Sequence, residues 1–354
     1  MGISFERVSY RYRDRGMTPV IGLDELDVVL KAGGMTAVLG APGSGKSTLL
    51  QHMNGLIRPD KGRIQIMDYV IEAAGSGERP GRRKWRWGRS GAGGRKKEQE
   101  QGLLQGQPYG QERSKKSERD VKHDNHHNIQ KLRQRVGLVF QYPEQQLFEE
   151  TVERELMFAP LNFGMSEAEA REAALQAAAS VGLDEKLLTC SPFRLSSGQM
   201  RKVALAAVLA ADPDVIALDE PTASLDPVSR QELMELLRSL CTEQGKTVLI
   251  VTHRLEEAAA YADEFVVLKD GGVIFQGDVR QLLDSPDTLE AGGIVPPRAK
   301  RTADVIAATF GASGMQIHAG QRQPAAAYPS EIGLDASDMA DWCVKLLEQR
   351  GVTT

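Results

Sequence analysis

The chain has little cysteine, few aromatic residues and no long apolar run. Its 354 residues include three cysteines, Cys190, Cys241 and Cys343, too widely spaced for a zinc motif or a disulfide framework. A reduced setting is the expectation. Aromatics are only 5% of the residues, and no stretch of 18 apolar residues occurs, so no transmembrane helix is expected. A basic-then-apolar leader is missing from Met1-Gly2-Ile3-Ser4-Phe5-Glu6, and Glu6 stands where an acylation motif needs Ser or Thr. Formal net charge is only -4, which marks the chain as neither strongly basic nor strongly acidic. What is present is 41% hydrophobic residues, enough for a sizeable core.

The most informative stretch is Gly40-Ala41-Pro42-Gly43-Ser44-Gly45-Lys46-Ser47-Thr48, which fits the phosphate-loop pattern G-x-x-x-x-G-K-[ST]. The apolar run Met35-Thr36-Ala37-Val38-Leu39 before it reads as a strand, and Leu49 to Met53 after it as the start of a helix. Glycines let backbone N–H groups wrap a phosphate, and the helix N-terminus adds partial positive charge. Lys46 would reach the β- and γ-phosphates, and the Ser47 hydroxyl would bind Mg²⁺.

A second apolar run, Val215-Ile216-Ala217-Leu218, ends in Asp219-Glu220. This is the composition of a buried parallel strand, whose C-terminal end is where ligands sit in open α/β sheets. There Asp219 would hold Mg²⁺ through water, and Glu220 would orient or deprotonate the attacking water.

Between these lies Leu195-Ser196-Ser197-Gly198-Gln199-Met200-Arg201, about twenty residues before the acidic pair. Here the chain resembles the ATP-binding-cassette family, whose signature reads Leu-Ser-Gly-Gly-Gln; Ser197 replaces its first glycine. Gln141, closing the strand-like run 136–140, resembles the Q-loop glutamine. Ser224-Leu225-Asp226 resembles the D-loop, and His253 the switch histidine. Tyr12 resembles the aromatic that stacks on adenine. The likeness covers about residues 3 to 290, apart from one insertion. Narrower features, Pro143-Glu144-Gln145-Gln146-Leu147-Phe148, Phe158-Ala159-Pro160 and Ser191-Pro192-Phe193-Arg194, resemble the second ATPase type of energy-coupling-factor importers of vitamins and transition metals.

The resemblance implies an α/β fold of the P-loop NTPase type. Its RecA-like core sheet would carry flanking helices, an antiparallel β subdomain and an α-helical subdomain. It implies an ATPase with ATP and Mg²⁺ as cofactors, the metal among Ser47, Gln141 and Asp219. Glu220, His253, Gln141 and Lys46 would be catalytic, and Tyr12, residues Gly40 to Thr48 and Asp219 would bind nucleotide. Ser196, Ser197, Gly198, Gln199 and Asp226 would serve the ATP of a second cassette in a head-to-tail dimer, homo- or heteromeric. The further partners implied are a transmembrane coupling subunit and a substrate-binding membrane subunit, at the cytoplasmic face of the membrane.

The organisation read along the chain agrees. Strand-like runs over residues 3 to 38, continued by Lys61 to Ile66, suggest an antiparallel layer. Ser166-Glu167-Ala168-Glu169 is a capping box opening an Ala-rich helix that ends near Gly182. It falls in a helical subdomain over 143–200. Further helices are expected from Gln199 to Ala211 and from Ser229 to Leu240. Residues 71–130 hold 14 Lys or Arg, 8 Asp or Glu and ten Gly. That composition reads as a disordered basic insertion with a net charge of +6. Within it Arg82 to Trp87 suits anionic lipid or nucleic acid, and His123, His126, His127 and Asp124 offer a loose metal set. Beyond residue 290 an extension carries one apolar helical stripe at Met339, Trp342, Cys343, Leu346 and Leu347, suited to subunit contact or core packing.

Two other functions are weighed. A soluble cassette ATPase acting on nucleic acid or ribosomes has only the basic insertion in favour. Repair and chromosome members carry coiled coils, whereas Gln141 and Ser196 are only about fifty-five residues apart, without heptads. Nucleic acid is therefore not an expected partner. A nucleotide-binding subunit without turnover is disfavoured by intact Lys46, Asp219, Glu220 and His253.

Overall fold

The protein is described by a computed structural model over residues 2–13, 18–73, 129–223, 225–297 and 300–301. The basic segment Arg82 to Trp87, the histidines 123–127 and the stripe at 339–347 lie outside the described residues.

Two sheets organise the chain. The first has strand order β2-β1-β4-β5 and is antiparallel. Its members are β1 (Ile3–Tyr12), β2 (Val20–Leu30), β4 (Lys61–Ile66) and β5 (Tyr69–Glu72). In β2 the buried Leu26, Val28 and Leu30 alternate with exposed neighbours, the period of a half-buried strand. The second sheet has order β10-β9-β3-β8-β7-β6. Its strands are β3 (Met35–Leu39), β6 (Val136–Val139), β7 (Val215–Asp219), β8 (Thr247–Val251), β9 (Glu264–Lys269) and β10 (Gly272–Gly277). All neighbours are parallel except β9 and β10. Both β3 and β8 are buried along their whole length, as strands covered on two faces must be. So residues 3 to 38 do not all join the antiparallel layer: the run from Met35 crosses into the parallel sheet, and the layer resumes with β4 and β5.

Nine helices can be placed among the described residues, besides the helical pair 300–301. They are α1 (Lys46–Met53), α2 (residues 129–135), α3 (Val152–Asn162), α4 (Glu167–Ser180), α5 (Ser197–Leu209), α6 (Pro227–Thr242), α7 (Leu255–Ala258), α8 (Val279–Leu283) and α9 (Pro286–Ala291). One core lies between the sheets around Phe5, Leu26, Leu49, Met53, Ile64 and Leu249. The other packs α3, α4, α5 and α6 on the far face of the parallel sheet and includes Ile294.

The capping box at Ser166 and Glu169 forms and opens α4. Ala170, Ala174, Ala177 and Ala178 make its buried stripe, small enough for close approach to α3 and α5. Helix α5 begins at Ser197, two residues before the expected start, because Ser196 and Gln199 make a second capping box. Likewise α6 begins at Pro227, since the Asp226 carboxylate accepts from the N–H groups of Val228 and Ser229 and proline suits the first helical turn. Expected ends of the insertion also shift. Ile71 is buried and paired with Ile64 in β5, and α2 already runs from 129.

Candidate active site

Parallel strands carry their C-terminal ends to one edge. There β3, β8, β7 and β6 deliver the phosphate loop, His253, Asp219-Glu220 and Gln141 in spatial order. This edge is the ligand-binding side of an open α/β sheet.

The phosphate loop is tightly built. Gly40, Gly43 and Gly45 have φ of 149°, 82° and 104°, a region that side chains disfavour. A Cβ on Gly45 would come within 2.4 Å of the Gly22 carbonyl oxygen, so the loop presses on β2. The Ser44 N–H donates to the Ala41 carbonyl, and the Ser44 carbonyl accepts from Gly271. Lys46 is 8% exposed. Its Nζ donates to the carbonyls of Gly40 and Ala41, both at 2.8 Å, and to Ser44 Oγ at 3.4 Å. Burial lowers its pKa, and the charges of Glu220 and Asp219 oppose that shift.

Asp219 shows the converse. Burial raises its pKa, while a hydrogen bond from Ser47 and the charge of Lys46 hold it down and Glu220 pushes it up. Ser47 and Asp219, far apart in the chain, are thus neighbours at this edge. Glu220 is turned by a left-handed backbone, φ 48°. Its N–H donates to the Val251 carbonyl, and its Oε1 lies 2.7 Å from His253 Nδ1.

Tyr12, at the end of β1, stands beside α1. Its hydroxyl bonds Thr48 Oγ1 at 3.0 Å and Gln51 Oε1 at 3.3 Å, and its ring meets Tyr10 edge to face. Gln141 closes β6 and is exposed. Its carbonyl accepts from Arg201, and no hydrogen bond joins its side chain to Ser47 or Asp219 among the described residues.

The signature is elsewhere. Ser196 and Gln199 bond each other across the first turn of α5, with Ser197 and Gly198 exposed. Ser196, Gly198 and Gln199 line a cleft of about 680 Å³ with Leu225 and Ser229, none of which belongs to the phosphate loop. Asp226 caps α6, next in the chain to Leu225 of that cleft. The described chain therefore holds two groups: Lys46, Ser47, Asp219, Glu220 and His253 at the strand ends, and Ser196 to Gln199 with Asp226 at helix starts.

Sequence reasoning missed a network behind the first group. Glu257 accepts from Thr222, from Arg254 at 2.7 Å and from Arg230 at 3.0 Å. Arg230 in turn donates to the Leu225 carbonyl at 3.1 Å. One carboxylate on α7 thereby joins the turn after Glu220 to the residue after His253. No local pattern marks it, because its partners come from separate segments.

Comparison with known proteins bears on this geometry. The ABC transporter family model matches residues 23–223. The energy-coupling factor transporter ATP-binding protein EcfA2 of Bacillus cereus is 40% identical over 313 residues, 88% of this chain and 90% of that protein. EcfA2 of Latilactobacillus sakei is 39% identical over 306 residues, 86% and 88% of the two chains. Among solved structures, cbiO1 from Clostridium perfringens, described as part of the ABC transporter complex cbiONQ, has a TM-score of 0.60 at 29% identity. It matches over 85% of this chain and 98% of its own length. A dimeric bacterial ABC transporter cassette has a TM-score of 0.57 at 26% identity, covering 78% and 98%. By its matched family model and its relatives' identity over most of their length, the chain belongs to the ABC transporter ATPases, in the group of energy-coupling-factor ATP-binding proteins.

Proposed function

We propose that this chain is an ATP-hydrolysing subunit that energises an energy-coupling-factor importer for vitamins or transition-metal ions. It would work as one half of a head-to-tail ATPase dimer at the cytoplasmic face of the membrane. The observation that carries this reading is the meeting of Lys46, Ser47, Asp219, Glu220 and His253 at one strand edge, from three separated segments. Among the described residues no helix is long and apolar enough to cross a membrane, which fits a peripheral subunit bound to membrane partners.

Each residue has a role in this reading. The N–H groups of the phosphate loop and the start of α1 bind the phosphates, and Tyr12 stacks on adenine. Lys46 gives up its loop carbonyls for the β- and γ-phosphate oxygens. Ser47 and Asp219 already juxtapose hard oxygen donors, as Mg²⁺ requires, and Gln141 would join them. The metal supplies neutralisation of phosphate charge. Glu220 orients and deprotonates the attacking water, and His253 holds Glu220 while facing the γ-phosphate. Ser196, Ser197, Gly198 and Gln199 act on the ATP of the partner cassette, with Asp226 at the same interface. The helix start at Ser197 offers N–H groups to that phosphate.

Coupling to the membrane subunits has a candidate surface as well. Between α3 and β6 runs a groove of about 370 Å³ lined by Phe140, Pro143, Leu147, Phe148, Phe158 and Phe163. Phe148 and Phe158 stack edge to face at 4.7 Å yet are 56% and 43% exposed. Such an apolar groove suits an amphipathic helix of the coupling subunit.

The test is purification of the chain from its native membrane under mild detergent. The expected result is a complex with a second ATPase, a coupling subunit and a solute-binding subunit, with ATP turnover that Lys46→Ala abolishes at this site. Recovery of a free protein with salt-sensitive nucleic-acid binding and no membrane partner would overturn the reading.

A further inference from the structure

Arg201 stands one helical turn past Ser197 on α5, and its side chain is 11% exposed. Its guanidinium reaches three separate places. Nε faces Glu144 Oε2 at 3.4 Å, in the 3-10 turn Pro143–Gln146. Nη2 donates to the Gln141 carbonyl at 3.3 Å, and Nη1 donates to the Ala223 carbonyl. Gln141 and Glu144 lie on the segment that lines the apolar groove. Ala223 lies between Glu220 and Asp226, and its N–H donates back to the Glu220 carbonyl. From the other side the same turn is held by the Glu257 network through Thr222 and by Arg230 at Leu225.

We propose that Arg201 is a positioning residue that ties the groove-lining segment after β6 to the turn between Glu220 and Asp226. Displacement of the groove by the membrane subunit is thereby passed to the hydrolytic residues and to the dimer-facing cap of α6. The chemistry favours arginine for this. Two of its acceptors are main-chain carbonyls, whose positions report the backbone of each loop. The planar guanidinium holds its donors in a fixed fork, so motion of one acceptor moves the other. A lysine could satisfy only part of the set, without fixing the angle between acceptors. Both loops converge on one rigid helix that also opens with the signature, so a rotation of α5 shifts all three together. This inference rests on the importer reading for the identity of the moving partner, but the link itself lies within this chain.

The experiment compares steady-state ATP turnover of the full ATPase pair with and without its membrane subunits, for wild type, Arg201→Met, Arg201→Lys and Glu144→Gln. We expect the KM for ATP in Arg201→Met to stay within about twofold of wild type, while the stimulation of kcat by the membrane subunits falls by about fivefold or more. Arg201→Lys should keep part of the stimulation. Glu144→Gln, which weakens only the groove-side anchor, should lose stimulation in the same direction at an unchanged melting temperature. Wild-type stimulation in Arg201→Met would overturn the proposal, as would parallel loss of KM, kcat and melting temperature in all three variants. If Arg201→Met does not fold, the other two variants decide between the same outcomes. If the membrane subunits do not stimulate even the wild type, the importer reading fails. The link is then judged on kcat of the ATPase pair alone: a loss at unchanged KM upholds it and no loss overturns it.

Discussion

Glu220 Oε1 lies 2.7 Å from His253 Nδ1, although the two residues are 33 positions apart. The parallel pairing of β7 with β8 brings them together, Asp219 standing opposite Val251. Glu220 then leaves the strand with φ at 48°, a conformation that costs a non-glycine residue about 1 kcal/mol or more. That turn aims the carboxylate at the histidine while its N–H holds Val251.

Replacing the carboxylate tests its role. Glu220→Gln keeps the size and a hydrogen-bonding group toward His253 but cannot take a proton. ATP binding should be retained and turnover should fall by about a hundredfold or more. Steady-state phosphate release, measured beside nucleotide affinity, checks this; turnover at the wild-type rate would remove Glu220 as the base.

The phosphate loop predicts a contrast between two of its glycines. Both Gly43 and Gly45 have positive φ, at 82° and 104°. A Cβ at Gly43 would meet nothing within 4 Å, whereas at Gly45 it would strike the Gly22 carbonyl. Gly43→Ala should cost about 1 kcal/mol of stability from backbone strain alone. Gly45→Ala should cost about 2 kcal/mol or more, because a backbone oxygen of β2 cannot swing away. Urea unfolding of the two variants measures this, and equal costs would show that the contact with β2 yields easily.

A pH effect follows from His52. It is fully buried on α1, its Nδ1–H donating to the Thr48 carbonyl at 2.7 Å and its Nε2 without a hydrogen-bond partner among the described residues. Burial pushes its pKa down from 6.5 to about 4, opposed by the Thr48 bond and by Asp60. The unfolded chain takes up a proton first as pH falls. The stabilisation is therefore whole above about pH 6.5 and is lost progressively toward pH 4, on the order of 3 kcal/mol in all. His52→Met removes the titration. Between pH 7 and 4.5 the wild type should lose more stability than the variant, and identical slopes would contradict the assignment.

Ser197 offers a test of the head-to-tail arrangement. It is the first residue of α5 and exposed, where the family signature has glycine. Its side chain narrows the approach of a phosphate to the helix N-terminus. Ser197→Gly should raise turnover at the partner's site by about twofold or more and leave this chain's own site nearly unchanged. Turnover is compared with this chain's site silenced by Lys46→Ala, then with the partner's site silenced. Equal effects at both sites would refute action on the partner's ATP.

Much of this protein was legible in its sequence because the relevant physics is local. A glycine loop before a helix, an apolar run ending in two acids, and a Ser-x-x-Glu cap each specify their conformation within a few residues. The starts of α5 and α6 were also written there, in Ser196 with Gln199 and in Asp226 with Pro227, but apolar spacing alone placed them two residues late. Sequence likewise picked out Lys46 and Asp219-Glu220 as the candidates for phosphate chemistry, since they sit in motifs that packing alone does not require. Only the tertiary structure decided which of them meet. Strand order, not chain order, puts β8 between β3 and β7, and so sets His253 against Glu220. The same holds for Arg201 with Gln141 and Ala223, and for Glu257 with Thr222, Arg230 and Arg254. Such contacts span tens of residues. Their acceptors are often main-chain carbonyls, which every residue type supplies, so no side-chain pattern in the sequence records them.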